Sequence, residues 1–127
     1  GANQISIESL SEQHYKQTFI AMQSKLQLQP TNNECIELHQ FCNQCYASLF
    51  ILASYCHHQS YNQLFESITN DVIANYNPMA IPFFCLKAMH HIENNNPAKA
   101  KQLFEHVLNI CPSIPEAKIG LTHLLHD

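Results

Sequence analysis

The chain has only two glycines among its 127 residues. Glycine supplies the tight turns of β-barrels and the close backbone approach of Rossmann folds and phosphate-binding loops, so these architectures are unfavourable here. Packed α-helices do not need glycine. A composition of 46% hydrophobic and 13% charged residues indicates a globular protein. The length is that of one domain with a single core, and we expect this domain to be all-α.

Apolar residues recur at helical spacing along the chain, and no segment alternates as a strand would. We predict about six helices. A single helix or two tightly joined helices would follow an N-cap at Asn33, and a further helix would follow an N-cap at Ser60. The predicted helical segments are about 7–28, 34–57, 60–76, 79–93, 97–112 and 113–127, with prolines in the first turns of the last three.

Charge and hydropathy exclude several classes of partner. Six Lys and Arg against ten Asp and Glu give a net charge of -4, which provides no positive surface for nucleic acid or anionic membranes. The sequence lacks a membrane-spanning run and an export signal, and its six cysteines are best interpreted as reduced thiols. We expect a cytoplasmic protein, with Gly1 and Ala2 as an expression scar.

A 34-residue period separates Pro78 from Pro112, which is the length of a tetratricopeptide unit. With that template on 81–114, residues of the small and aromatic types that let antiparallel helices pack closely fall on both helices. Asn94 and Asn95 fall at the turn between them, where asparagine tolerates a left-handed backbone. The packing residues are Phe84, Ala88, Ala100 and Phe104, and segment 81–114 resembles a tetratricopeptide repeat.

Residues 47–80 form a degenerate copy of the same unit. Phe50 and Ser54 match its first helix and Pro78 its closing position, whereas Glu66 and Asn70 replace the expected alanine and aromatic residue. The N-terminal helix, which ends at Pro30, resembles the second half of a further unit. We therefore predict one helical-repeat domain over 1–127, built from stacked antiparallel hairpins.

A narrower resemblance lies in "PFFCLKAMHHIENNNPAKAKQLFEHVLNI", residues 82–110. The aromatic pair and the pattern formed by Lys99, Ala100, Lys101, Phe104 and Val107 resemble the C-terminal repeat of class II type III secretion chaperones. Those small proteins hold translocator or effector subunits in the bacterial cytosol. The resemblance implies a chaperone or adaptor that binds a partner protein, without catalysis and without a cofactor. The N-terminal half, rich in Cys, Gln and His, departs from the family pattern.

The repeat template predicts a partner-binding concave face on the first helix of each unit. Met89 is adaptable and Tyr55 is amphipathic, and both properties suit a binding surface for an extended peptide. The alternative is that the same side chains fill the core of a closed bundle. A homodimer through the apolar N-terminal helix is also expected. The predicted face consists of Ile51, Tyr55 and His58 from one unit and Cys85, Met89 and Ile92 from the next.

The segment "CIELHQFCNQC" offers a different hypothesis, a structural zinc site. Cys35, His39, Cys42 and Cys45 have the side-chain types that bind zinc. Four ligands along about 15 Å of one helix cannot converge on one ion, so a site would need His57, His58 or a second chain. Buried cysteine also serves as a small hydrophobic residue. Core packing is therefore the competing interpretation.

An enzyme with a Cys/His site is the third hypothesis, because the chain has nine histidines. His57–His58 and His90–His91 are adjacent pairs at helix ends, where histidine is common. Neither pair has the H-E-x-x-H spacing of a metal hydrolase. We predict a protein without catalytic activity.

Overall fold

The computed structural model describes the backbone of residues 2–42 and 45–126. Within these residues the fold is all-α, as predicted, and holds seven α-helices with no strand. A π-helical turn, Val72–Tyr76, follows α4. The helices are α1 (Ala2–Gln27), α2 (Asn32–Phe41), α3 (Tyr46–His58), α4 (Asn62–Asp71), α5 (Ile81–Glu93), α6 (Pro97–Ile110) and α7 (Pro115–His126).

The sequence allows either one helix or two over residues 34–57. The structure has two helices there, α2 and α3. The cap of α2 is Thr31 and not Asn33. The Thr31 Oγ1 accepts from the Glu34 N–H at 3.3 Å, and the Glu34 carboxylate accepts from the Thr31 N–H at 3.0 Å. This capping box satisfies two backbone donors at once, whereas a cap at Asn33 would lack the reciprocal bond. The bond from the Thr31 N–H, with a smaller contribution from the Thr31 side chain, lowers the pKa of the Glu34 carboxyl.

Ser60 does not cap α4, and that prediction was wrong. It adopts φ 62° and closes the end of α3 instead. Its N–H donates to the His57 carbonyl at 3.2 Å, and the Tyr61 N–H donates to the Cys56 carbonyl at 2.9 Å. This pair of bonds is a Schellman motif, which needs one residue in the left-handed region just past the helix.

The same left-handed ending recurs after α5 and α1. Asn95 has φ 62°, as its place in the predicted turn requires, and the Asn96 N–H donates to the His91 carbonyl at 2.7 Å. Gln29 has φ 55° and precedes Pro30, which stops α1. Glycine usually occupies such positions. A chain this poor in glycine places serine, asparagine and glutamine there.

The chain divides into two compact units, Gly1–Ile68 and Thr69–Asp127, with the boundary inside α4. In the first unit, α1 and α2 both pack against α3. The turn between α1 and α2 is held by two tyrosines: the Tyr55 and Tyr61 hydroxyls donate to the Pro30 carbonyl at 2.9 Å and 3.3 Å. The fully buried apolar side chains of this unit include Met22, Cys35, Cys42, Leu52, Ala53, Cys56, Phe65 and Ile68.

In the second unit, α6 packs against both α5 and α7. Ala88 and Ala100 are fully buried, and their small side chains let α5 and α6 approach closely. The packing role predicted for both alanines, and for Phe84 and Phe104, is confirmed by their burial in one apolar cluster. That cluster consists of Phe84, Ala88, Ala100, Phe104, Val107 and Ala117.

The predicted repeats relate differently to these units. Segment 81–114 covers the α5–α6 hairpin and its closing turn, all inside the second unit. Segment 47–80 extends from α3 in the first unit to the residues before α5 in the second. In the described part of the chain, no helix has the length and apolar character needed to cross a membrane.

Replacing Gln29 with glycine should stabilise the protein, because glycine removes the strain of a left-handed glutamine. That strain is about 1–2 kcal/mol, and the larger entropy of unfolded glycine offsets about half of it. We expect Gln29→Gly to raise the free energy of unfolding by about 0.5–1 kcal/mol, measured by urea unfolding followed by circular dichroism. The control is Gln23→Gly at an exposed position inside α1, which should lower it by about 1 kcal/mol. If both variants lowered the free energy of unfolding equally, the strained left-handed backbone at Gln29 would be contradicted.

Candidate functional site

An apolar groove of about 490 Å³ lies in the second unit. Its walls are α5 and α7, and one aromatic ring of α6 contributes to its lining. The volume falls in the range of about 300–1,000 Å³ typical of binding sites. The groove is lined by Cys85, Met89 and Ile92 of α5, Phe104 of α6, and Glu116, Ile119, Gly120 and His123 of α7.

The walls follow from helical spacing. Residues 85, 89 and 92 are separated by four and three positions, so they lie along one stripe of α5, next to the stripe that buries Phe84 and Ala88. Residues 116, 119, 120 and 123 form the matching stripe of α7. The large apolar side chains of the two stripes are exposed: 51% for Met89, 40% for Ile92 and 57% for Ile119.

Gly120 lies against the Phe104 ring at the groove. A Cβ atom at position 120 would lie 2.5 Å from the Cε2 and Cζ atoms of the Phe104 ring. Such a distance is far inside van der Waals contact, so α7 can approach the buried ring only because residue 120 has no side chain. The ring is 3% exposed and forms part of the apolar cluster as well as of the groove.

The polar groups of the groove lie toward its ends. Burial raises the pKa of the half-buried Cys85 thiol, and the Glu116 carboxylate raises it further. That thiol is therefore neutral at physiological pH. Glu116 and His123 are seven residues apart on α7, about 10 Å along the helix, which is too far to share a proton. The arrangement suits the binding of apolar groups rather than proton transfer.

The six predicted face residues fall into two triplets, one in each unit. Cys85, Met89 and Ile92 share the groove. In the first unit, Ile51 and Tyr55 of α3 are half-buried and His58 is exposed. The Tyr55 hydroxyl already donates to the Pro30 carbonyl, so it helps to hold the α1–α2 turn, whatever else its ring contacts.

Sequence reasoning missed the α7 wall and the role of Phe104. The sequence predicts Phe104 only as a packing residue and predicts no site residue on α7. Two signals point to α7: the spacing of Glu116, Ile119 and His123, and a glycine inside an otherwise helical segment. An isolated glycine in a helix often marks close approach by another group.

The cysteines proposed as zinc ligands are packed in the first unit. Cys35, Cys42 and Cys45 are buried and His39 is half-buried. Across residues 2–42 and 45–126, no group of three or more His, Cys, Asp or Glu side chains is arranged to hold a metal ion. Burial raises the pKa of both Cys42 and Cys56 to about 12, with smaller contributions from neighbouring thiols. Protonated buried thiols are poor nucleophiles.

The histidine pairs make ring contacts. His57 is buried, with its ring centroid 5.3 Å from that of His58 and 5.8 Å from that of Phe65. His90 is also buried, and its ring lies edge-on to His91 at 6.2 Å. These geometries are those of aromatic packing. The absence of catalytic activity stays a prediction.

Comparison of the chain with protein-family models, curated proteins and solved structures finds no match. The resemblance of residues 82–110 to secretion chaperones therefore stays a prediction from the sequence.

Thiol reactivity should separate packed cysteines from accessible ones. In the folded protein an aromatic disulfide reagent at pH 8 should label the half-buried Cys85 and Cys111, and all six thiols after unfolding in urea. Labelling of the four buried cysteines requires local opening, which should slow it by about 100-fold or more. The control is Cys85→Ser with Cys111→Ser, in which rapid labelling should disappear. Rapid reaction of additional thiols would contradict the packing.

The raised thiol pKa values also set a pH dependence of stability. Below about pH 7.5, the thiols of Cys42 and Cys56 are neutral in both states. Between about pH 8 and pH 12, the unfolded chain loses these protons while the folded chain retains them, so stability falls as pH rises. The urea midpoint should therefore decrease between pH 8 and pH 10.5. This decrease should be smaller in a Cys42→Ala, Cys56→Ala double variant.

Proposed function

We propose that this protein binds a short apolar segment of a partner protein in the α5–α7 groove and acts, without catalysis, as a chaperone or adaptor. The observation that carries the proposal is the row of exposed apolar side chains, Met89, Ile92 and Ile119, beside the Phe104 ring. Clustered apolar side chains at a concave surface are typical of protein-binding sites. Isolated exposed apolar residues are common on protein surfaces and do not indicate a binding site.

The expected affinity is modest. Covering each half-exposed Met or Ile of the groove contributes about 1 kcal/mol, and full burial of each of three large apolar anchors of the partner contributes about 1.5–3 kcal/mol. Loss of translational and rotational freedom offsets at least about 4 kcal/mol of that sum. We expect dissociation constants between about 1 µM and 1 mM. Such affinities suit a chaperone or adaptor that must release its partner.

The class of partner rests on the sequence resemblance. Residues 82–110 resemble secretion chaperones, which supports a bacterial secretion-system subunit or effector as the partner and the cytoplasm as the compartment. Under this proposal, α5–α6 and the following α7 belong to a tetratricopeptide-like stack, with α5 and α7 on its binding side. Exposed Tyr15 and Ile20 on α1 support the further proposal of a homodimer through that helix.

A displayed library of random peptides, selected on the full chain, tests the groove without assuming the partner. We expect enriched peptides to carry two or three large apolar residues. Met89→Glu should weaken their binding at least tenfold, because it places a carboxylate among apolar side chains. Fluorescence anisotropy of labelled clones gives the dissociation constants.

The matched control is Met79→Glu, the same substitution in the segment before α5. Met79 is exposed to a similar extent, 59%, and does not line the groove. Both variants should retain the circular dichroism spectrum and melting temperature of the wild type. Peptides that bind wild type and Met89→Glu equally well would overturn the proposal, as would a library that yields no binding clone.

A further inference from the structure

The backbone that surrounds the groove has little capacity to pair with a ligand. Both walls are helices, and inside a helix the N–H and C=O groups are already bonded four residues apart. A strand edge, which would present free backbone groups, is not found in the described part of the chain. The sequence pattern suggested an extended ligand, but its backbone would find few partners in this groove: Glu116, His123 and the first-turn N–H groups of α7 lie at its ends, and its middle is apolar.

The apolar side chains that line the groove also offer little hydrogen bonding to a ligand backbone. Met89, Ile92, Phe104 and Ile119 carry no strong donor or acceptor. An extended peptide pressed between them would bury unpaired N–H and C=O groups, and each such group lowers affinity by roughly tenfold. A helical ligand bonds its own backbone groups and so avoids that loss. It presents only side chains to the groove.

The dimensions of the groove agree with two turns of a helix. Its α5 and α7 walls each extend over eight residues, from Cys85 to Ile92 and from Glu116 to His123, or about 10 Å along each axis. Two helical turns place apolar residues at positions i, i+3 or i+4, and i+7 on one face. This is the anchor spacing by which amphipathic helices bind apolar grooves.

Charge is asymmetric along the groove. Glu116 is the carboxylate among the described lining residues, and it lies close enough to Cys85 to raise the pKa of that thiol. His123 is seven residues further along α7. A cationic side chain of the ligand is therefore favoured at the Glu116 end, where it meets an opposite charge beside an apolar surface.

We propose, on the basis of the function proposed above, that the groove binds an amphipathic α-helix with three apolar anchors and a lysine or arginine that pairs with Glu116. The partner is thus defined by a conformation as well as by hydrophobicity. Affinity comes from the anchors against Met89, Ile119 and Phe104. The charge pair fixes the direction in which the helix lies.

Two designed peptides of about 14 residues, roughly 21 Å long as helices, test the conformation. Both carry leucine at i, i+4 and i+7 and one lysine at the end of that stripe. In the first, a hydrocarbon staple on the polar face holds the helix; in the second, two D-residues on that face prevent it. We expect the stapled peptide to bind the full chain at least tenfold more tightly by fluorescence anisotropy. Met89→Glu should abolish this preference and Met79→Glu should preserve it.

The charge pair is tested by Glu116→Gln. This variant should weaken binding of the lysine peptide by about threefold at low salt. It should not affect a peptide in which norleucine replaces lysine. Exposed pairs contribute modestly, so the difference between the two peptides, and not the size of either effect, is the diagnostic result. Equal effects on both peptides would overturn the assignment of the cationic end.

Failure of this inference is distinguishable from failure of the proposed function. If the D-residue peptide binds as well as the stapled peptide and Met89→Glu abolishes both, the groove binds apolar segments but does not require a helix. If library clones depend on Met89 while neither designed peptide binds, the helical inference alone is overturned. If Met89→Glu converts a dimer to a monomer in sedimentation analysis, a second copy of the chain occupies the groove and both proposals fail.

Discussion

The contact between Phe104 and Gly120 determines the architecture of the second unit. A ring on α6 and a residue without a side chain on α7 let the two helices approach closely, with no room for a Cβ atom at that point. The same ring packs with Phe84 and Ala88 of α5. Because α5 and α7 both rest on α6 through this ring, their exposed stripes face a common space. The groove is therefore a consequence of core packing.

The scarcity of glycine acts at the helix ends. Within residues 2–42 and 45–126, Gln29, Ser60 and Asn95 occupy left-handed positions, where glycine would be unstrained. Only Asn95 is of a type that tolerates this backbone well, and it was also the position that the turn pattern indicated. Gly120, which lies inside α7, serves close packing instead. Glycine therefore lies at the close contact between α6 and α7, whereas non-glycine residues adopt the left-handed backbone at the helix ends.

The sequence predicts the α5 wall of the candidate site but not its α7 wall. Cys85, Met89 and Ile92 follow from the repeat template, because helical spacing places them on one stripe beside the packing residues. The α7 wall was not predicted, because the short C-terminal segment gave no repeat against which to align it. Tyr55 illustrates the opposite problem. Its amphipathic character suggested a binding role, but its hydroxyl bonds to Pro30, 25 residues earlier in the chain, a contact that no local pattern reveals.

The sequence by itself determined the class of fold and the packing alanines. Helical periodicity, scarce glycine and prolines at first turns are local properties, and a helix satisfies its own backbone. Tertiary structure decided three things. It split residues 34–57 into two helices, assigned the cap of α2 to Thr31 rather than Asn33, and brought α7 beside α5 through Phe104. These outcomes depend on contacts between residues far apart in sequence, or on competition between neighbouring caps, which periodicity does not encode.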